Sequence, residues 1–94
     1  MMLLSSSEID VKLKKLDNWK VENKSIVREY VLKDFKLALA FVNNVGKAAE
    51  EMDHHPDILI HSWNKVKFTI STHSEGGLTE KDFKLAEKIE SLLK

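Results

Sequence analysis

Histidines and carboxylates cluster in the middle of the sequence, where they could carry acid–base chemistry. His54 and His55 closely follow Glu50, Glu51 and Asp53. On a continuous helix, a spacing of four places Glu50 beside His54 and Glu51 beside His55. A neighbouring carboxylate favours the charged imidazolium, and so does the C-terminal end of a helix. The pattern therefore predicts histidines that can exchange protons near neutral pH.

Further candidates for the same chemistry come later in the chain. His73 lies in a polar, glycine-containing loop just after a predicted strand, and loops often carry catalytic side chains. Asp82 lies in the first turn of the last predicted helix, where it could support His73 across the loop or merely cap its helix. His61 fits a surface or packing role within a strand, and Trp63 fits a core or interface role.

The composition and the spacing disfavour several other kinds of site. The chain has no cysteine, which excludes disulfides, thiolate metal sites and cysteine nucleophiles. A zinc site built from His54, His55, His73 and a carboxylate is the metalloprotein alternative. Adjacent helical side chains point about 100° apart, and the usual three- or four-residue spacing of helical ligands is absent. No phosphate-binding glycine loop or nucleophile-elbow serine occurs.

Length and charge favour one globular domain over residues 1–94. Of the 94 residues, 43% are hydrophobic, which is enough to form a core. Fifteen basic residues balance fifteen acidic ones, so we expect no general attraction to nucleic acids or anionic membranes. No apolar run approaches the ~20 residues of a membrane span, and the opening Met-Met-Leu-Leu is too short for a signal peptide. A chain without disulfides is expected in the reducing cytoplasm.

The elements that must position these side chains follow from hydrophobic spacing. Helices are predicted over 6–16, from an N-cap at Asp34 to just before Pro56, and from Thr79 onward. Strands are predicted over 19–22, 25–32, 58–63 and 65–71. The order is α-β-β-α-β-β-α. Two hairpins separated by a helix predict an α+β two-layer fold, a four-stranded, mostly antiparallel sheet with three helices on one face.

The spacing of the chemically interesting residues resembles the signature of the pterin-4a-carbinolamine dehydratases. The resemblance covers about residues 34–93. Four short segments also resemble the sequences of that family, namely 53–57, 63–66, 71–73 and 77–82. The spaced positions that carry the resemblance are Glu50, His54, His55, Pro56, Trp63, His73 and Asp82.

This resemblance implies a hydro-lyase that dehydrates 4a-hydroxytetrahydropterin to quinonoid dihydropterin. The reaction recycles the cofactor of aromatic amino acid hydroxylases, and the family uses neither a metal nor a cofactor. The resemblance also implies a homodimer or homotetramer. Carried over by position, the catalytic histidines are His54, His55 and His73. The residues expected to contact the pterin are Asp53, His54, His55, Pro56, Thr72, His73, Ser74 and Glu75, with supporting roles for Glu50, Trp63 and Asp82.

The chemistry of a carbinolamine fits these side chains. Such a compound loses water when its hydroxyl is protonated while a proton leaves the neighbouring ring nitrogen, so the step needs an acid and a base. Imidazole can serve as either near pH 7. We assign His54 and His73 to proton transfer and His55 mainly to holding the pterin, while Asp53 could hold the amino-pyrimidine edge or orient a histidine.

A second hypothesis is a non-catalytic binding or dimerisation module, such as a transcriptional coactivator. A long apolar helix and open sheet edges could serve self-assembly or a partner helix. The resemblance points the same way, because vertebrate members of the family also bind a homeodomain transcription factor. Catalysed decay of a 4a-hydroxypterin distinguishes the enzyme from the module.

Overall fold

The computed structural model describes residues 2–93. Met1 and Lys94, which the predicted domain 1–94 includes, lie outside the described residues. None of the helices within this range is both long and apolar enough to cross a membrane. The predicted order is confirmed, with helices α1 (Ser6–Leu13), α2 (Phe35–Met52) and α3 (Glu80–Leu92) and strands β1 (Lys20–Glu22), β2 (Ser25–Val31), β3 (Asp57–His61) and β4 (Lys65–Ile70).

The four strands form one sheet in the order β1-β2-β4-β3, and every neighbouring pair is antiparallel. The pairing of β2 with β4 joins the two hairpins. In the second hairpin, Asp57 at the start of β3 lies opposite Thr69 near the end of β4. The residues that precede β3 and those that follow β4 therefore meet at the same end of the sheet.

The core lies between the helices and one face of the sheet. On β4, Val66, Phe68 and Ile70 are fully buried, while the residues between them are partly exposed. Tyr30 of β2, Phe41 of α2 and Phe68 of β4 pack edge to face, with ring centroids 5.1–5.8 Å apart. Such pairs add about 0.5–1.5 kcal/mol beyond the burial of their surface. The predicted α+β two-layer class is confirmed.

Several element ends differ from the predictions because the backbone turns locally. Helix α1 opens with the capping box typical of its serine-rich start but ends at Leu13 instead of residue 16. Strand β3 covers Asp57–His61 instead of 58–63. Ser62 and Trp63 have positive φ angles of 48° and 59° and form the hairpin turn, which extended strand geometry cannot accommodate. The predicted loop after β4 contains a short 3₁₀ turn, His73–Glu75.

Candidate active site

Helix α2 ends before it reaches the two adjacent histidines. The backbone N–H of His54 donates to the carbonyl of Ala49 at 3.1 Å, and the N–H of Asp53 donates to the carbonyl of Glu50 at 3.2 Å. This pair of hydrogen bonds is the Schellman arrangement that terminates helices. Asp53 adopts the left-handed conformation with φ 51°, which aspartate tolerates better than most residues. The chain reverses there, so that His54 and His55 lie beyond the helix.

The early helix end changes which carboxylate each histidine contacts. The predicted pairs Glu50–His54 and Glu51–His55 are wrong. His55 instead bonds Glu50 through Nε2 at the surface, where the two side chains are 57% and 75% exposed. His54 turns inward, and its Nε2 lies 2.6 Å from Oδ1 of the fully buried Asp82. Two histidines that are neighbours in sequence therefore occupy different environments.

The carboxylate of Asp82 is held by the loop and by the start of α3. Its Oδ2 accepts the backbone N–H of Thr79 at 2.8 Å and the hydroxyl of Thr72 at 2.9 Å. Asp82 completes a capping box with Thr79, so it does cap its helix. Its other oxygen bonds His54 and not His73, the histidine considered from the sequence. One buried carboxylate thus links the end of α2 to the start of α3.

A cleft of about 230 Å³ lies where these segments meet. His73 opens the 3₁₀ turn after β4, and Gly76 closes that turn with φ 72°, a conformation that strains residues carrying a Cβ atom. The sheet register brings this turn beside the end of α2. The cleft is lined by Asp53, His54, His55, Ser71, Thr72, His73, Ser74 and Lys81.

The sequence matches a protein-family profile over nearly its whole length. The profile is described as pterin 4 alpha carbinolamine dehydratase, and it matches residues 2–92. The chain belongs to the pterin-4a-carbinolamine dehydratase family.

Relatives in this dehydratase family are similar in length to the chain. A protein of Metallosphaera sedula is 44% identical over 91 residues, which cover 97% of this chain and 94% of the relative. A protein of Sulfolobus acidocaldarius is 42% identical and covers 97% and 99% of the two chains. One from a Nostoc species is 47% identical and covers 96% of each. All three are provisionally named pterin-4-alpha-carbinolamine dehydratase.

Two solved structures share the fold. One, from Brucella melitensis, is described as a transcriptional coactivator/pterin dehydratase; it is 36% identical, with a TM-score of 0.92 over 97% of this chain and 98% of that one. The other is described as a pterin dehydratase-like protein that is a RuBisCO assembly factor in the alpha-carboxysome. It is 17% identical, with a TM-score of 0.63 over 79% of this chain and 84% of that one, and this likeness shows the fold alone.

Some of the residues considered for the dehydratase site lie outside the cleft lining. Pro56 and Glu75 each adjoin a lining segment without lining the cleft themselves. Trp63 lies in the β3–β4 turn, at the opposite end of β4 from the cleft, and is 60% exposed. It is therefore not a core residue. His61, the remaining histidine, also lies outside the cleft and bonds Glu29 on the open face of the sheet.

Sequence reasoning missed two residues that line the cleft of this dehydratase fold. Ser71 is the first residue after β4, and Lys81 lies in the first turn of α3. Both lie within segments that resemble the family, 71–73 and 77–82, and this resemblance was the available signal. Within residues 2–93, no group of three or more histidine and carboxylate side chains is arranged to hold a metal ion.

Proposed function

We propose that the protein dehydrates a 4a-hydroxytetrahydropterin by histidine acid–base catalysis in this cleft. The observation that carries the proposal is the convergence of His54, His55 and His73 on one cleft, although they come from separate segments of the chain. Membership of the family supports the reaction class. We place the reaction in the cytoplasmic recycling of the tetrahydropterin cofactor of aromatic amino acid hydroxylases.

The reaction breaks the bond between carbon 4a and its hydroxyl oxygen and releases water. An acid delivers a proton to the leaving hydroxyl, and the electrons of the carbon–oxygen bond leave with the oxygen. A base removes the proton from the neighbouring ring nitrogen, whose electrons form the new carbon–nitrogen double bond. No electron acceptor is needed, and the product is the quinonoid dihydropterin. We assign the two proton transfers to His54 and His73, each worth roughly 10²–10⁴-fold in rate.

The other residues that line the cleft are suited to hold the flat substrate. His55 lines the cleft next to His54 in sequence and bonds Glu50, which orients its ring. The Asp53 carboxylate can accept two parallel N–H groups, the geometry that an amino-pyrimidine edge offers. Ser74 adds a hydroxyl that can donate or accept a hydrogen bond. These residues are assigned to substrate binding, whereas the proton transfers are assigned to His54 and His73.

The experiment follows the decay of a 4a-hydroxytetrahydropterin, generated by a hydroxylase, through its ultraviolet band. Wild-type protein should accelerate the decay above the rate in buffer. His54→Ala and His73→Ala should each lose at least tenfold in rate while remaining folded. His61→Ala is the matched control, because His61 lies outside the cleft, and it should keep the wild-type rate. Near-normal turnover in both His54→Ala and His73→Ala would contradict the proposed acid–base mechanism.

We also propose that the chain forms a homodimer or homotetramer. β3 lies at an edge of the sheet, and Leu59 on it is 54% exposed. Helix α2 exposes Phe35 and Leu39, one turn apart, at 48% and 41%. Open strand edges and exposed apolar side chains favour association. Sedimentation equilibrium at micromolar concentration should give two or four chains, and a monomer there would contradict the proposal.

The second candidate function is a non-catalytic binding or dimerisation module. The observation that favours it is the description of the Brucella melitensis structure as a transcriptional coactivator/pterin dehydratase. The decay assay separates the two candidates, because a module without catalysis leaves the pterin decaying at the rate in buffer.

A further inference from the structure

The hydrogen bonds around Asp82 have a fixed direction. A carboxylate only accepts hydrogen bonds, so the Thr72 hydroxyl, 2.9 Å from Oδ2, must donate to it. The two threonine hydroxyl oxygens, Thr72 and Thr79, lie 2.8 Å apart. Because the single proton of Thr72 is already committed to Asp82, the Thr79 hydroxyl must donate to Thr72. The oxygen of Thr79 in turn accepts the backbone N–H of Lys81 at 3.3 Å.

These contacts form a buried chain in which every proton points towards Asp82. The backbone N–H of Lys81 donates to Thr79, Thr79 donates to Thr72, and Thr72 donates to Asp82. Thr72 is 7% exposed, and Thr79 and Asp82 are both fully buried. Water is therefore kept from replacing these donors, and a hydroxyl lost from the chain leaves its neighbour without a partner.

The hydrogen bonds of Asp82 determine which nitrogen of His54 carries a proton. Oδ2 of Asp82 is occupied by Thr72 and by the backbone N–H of Thr79. Oδ1 accepts from Nε2 of His54 at 2.6 Å, so Nε2 must be the protonated nitrogen. Nδ1 is then the nitrogen of His54 that can exchange a proton with a molecule in the cleft.

We infer that Thr72 is a positioning residue for the dehydration, acting through Asp82 to hold the Nε2–H tautomer of His54. Without the Thr72 hydroxyl, Oδ2 retains only the backbone N–H of Thr79, and the hydroxyl of Thr79 loses its acceptor. The carboxylate can then rotate, and His54 can adopt the other tautomer. The kinetic part of this inference rests on the proposed function, whereas the tautomer follows from the hydrogen bonds alone.

The tautomer is measured first, because that measurement needs no substrate. Nitrogen-15 spectra of the histidine rings, recorded at alkaline pH where imidazole is neutral, separate protonated from unprotonated ring nitrogens. In wild-type protein His54 should show a protonated Nε2 and an unprotonated Nδ1. Thr72→Val, which keeps the shape but removes the hydroxyl, should give a mixture of tautomers, and Thr72→Ser should restore the wild-type spectrum. A protonated Nδ1 in wild-type protein would overturn the inference.

Kinetics then distinguish positioning from direct contact, since Thr72 also lines the cleft. Thr72→Val should lower kcat about tenfold, with a change in KM below twofold, and Thr72→Ser should recover at least a third of the wild-type kcat. Thr69→Val is the matched control, because Thr69 lies near the end of β4, just before the segment that carries Thr72, with its side chain on the opposite face from the core. A rise in KM at constant kcat, or unchanged kcat and tautomer in Thr72→Val, would overturn the positioning role. If wild-type protein shows no turnover, the proposed function fails, and the spectra still decide the tautomer.

Discussion

Two carboxylates on helix α3, one at each end, hold the molecule together in different ways. Asp82 in the first turn is fully buried, and its partners are two threonines and the imidazole of His54. Glu90 in the last turn accepts hydrogen bonds from Trp19, Arg28 and Tyr30, at a site where its side chain is 25% exposed. Each carboxylate joins α3 to other elements of the fold.

The difference between them lies in the partner that balances the charge. Glu90 faces Arg28, a permanent cation whose guanidinium also lies 4.1 Å from the centroid of the Tyr30 ring. Asp82 faces the imidazole of His54, a kind of side chain that acid–base catalysis commonly uses. A permanent ion pair makes the Glu90 cluster a structural anchor. The imidazole partner lines the cleft, and this position makes the Asp82 cluster suited to chemistry.

The largest effect that separates the two clusters is expected for Asp82→Asn. Both oxygens of the Asp82 carboxylate accept hydrogen bonds, and asparagine replaces one of them with an NH₂ group that donates. Either the backbone N–H of Thr79 or the imidazole of His54 then loses its acceptor. We expect turnover of the 4a-hydroxytetrahydropterin to fall about 100-fold. Glu90→Gln, the matched change at the other end of α3, should alter turnover less than threefold. Equal losses of kcat/KM in the two variants, measured on protein shown to be folded, would contradict the distinction between the Asp82 and Glu90 clusters.

A smaller effect, on stability, is expected for Glu90→Gln. The change removes the charge that faces Arg28 and weakens the hydrogen bonds from Trp19 and Tyr30. Hydrogen bonds to charged groups contribute about 1.5–3 kcal/mol each, but Glu90 is partly open to solvent. We expect the free energy of unfolding near pH 7 to fall by about 2 kcal/mol, measured by urea denaturation. Glu87→Gln, at an exposed position on the same helix, should change it by less than about 0.5 kcal/mol.

The pH dependence of stability should follow the same carboxylate. Burial raises the pKa of Glu90, but hydrogen bonds from Tyr30, Trp19 and Arg28 outweigh it, and the pKa lies below its ordinary value of 4.5. Burial, followed by the hydrogen bond to Glu90, raises the pKa of Tyr30, which keeps Tyr30 a donor. A lowered carboxyl pKa stabilises the folded state above the unfolded pKa, and this contribution is lost as the pH falls through the folded pKa. The difference in free energy of unfolding between wild type and Glu90→Gln should therefore be largest at pH 6–7 and should decrease below pH 4.5. A difference that increases as the pH falls would contradict this expectation.

The smallest effect is expected at the third histidine–carboxylate contact, between Glu50 and His55. Both side chains are more than half exposed, and exposed ion pairs contribute about 0–1 kcal/mol. Glu50→Gln should reduce kcat/KM two- to threefold through a looser His55. A loss in the decay assay as large as the one expected for Asp82→Asn would show that this surface pair matters as much as the buried one.

The fold could be predicted from sequence because its signals are local. The hydroxyl and carboxylate at the start of α1, the N-cap Asp34 of α2 and the alternation along β4 all specify their elements within a few residues. The pairing of β2 with β4 is a long-range contact, and no local pattern specifies it. The lateral strand order therefore emerged only from the structure.

The partners of the histidines could not be predicted, because they depend on one backbone conformation and one strand register. The helical pattern and Pro56 both allowed α2 to continue through residue 54. The left-handed conformation of Asp53 ends the helix earlier. As a result, His54 contacts Asp82 and not Glu50, the partner that a continuous helix would give it. The identity of the residues was evident from the sequence, whereas their contacts required the path of the chain between them.

The most direct test of the account is a crystal structure of the protein with a stable pterin analogue bound. We expect the bicyclic ring to lie in the cleft between His54 and His73, with Nδ1 of His54 facing the carbon that carries the hydroxyl or its neighbouring nitrogen. His55 and Asp53 should contact the remaining edge of the ring. An analogue bound elsewhere on the molecule, with the three histidines untouched, would contradict the central claim.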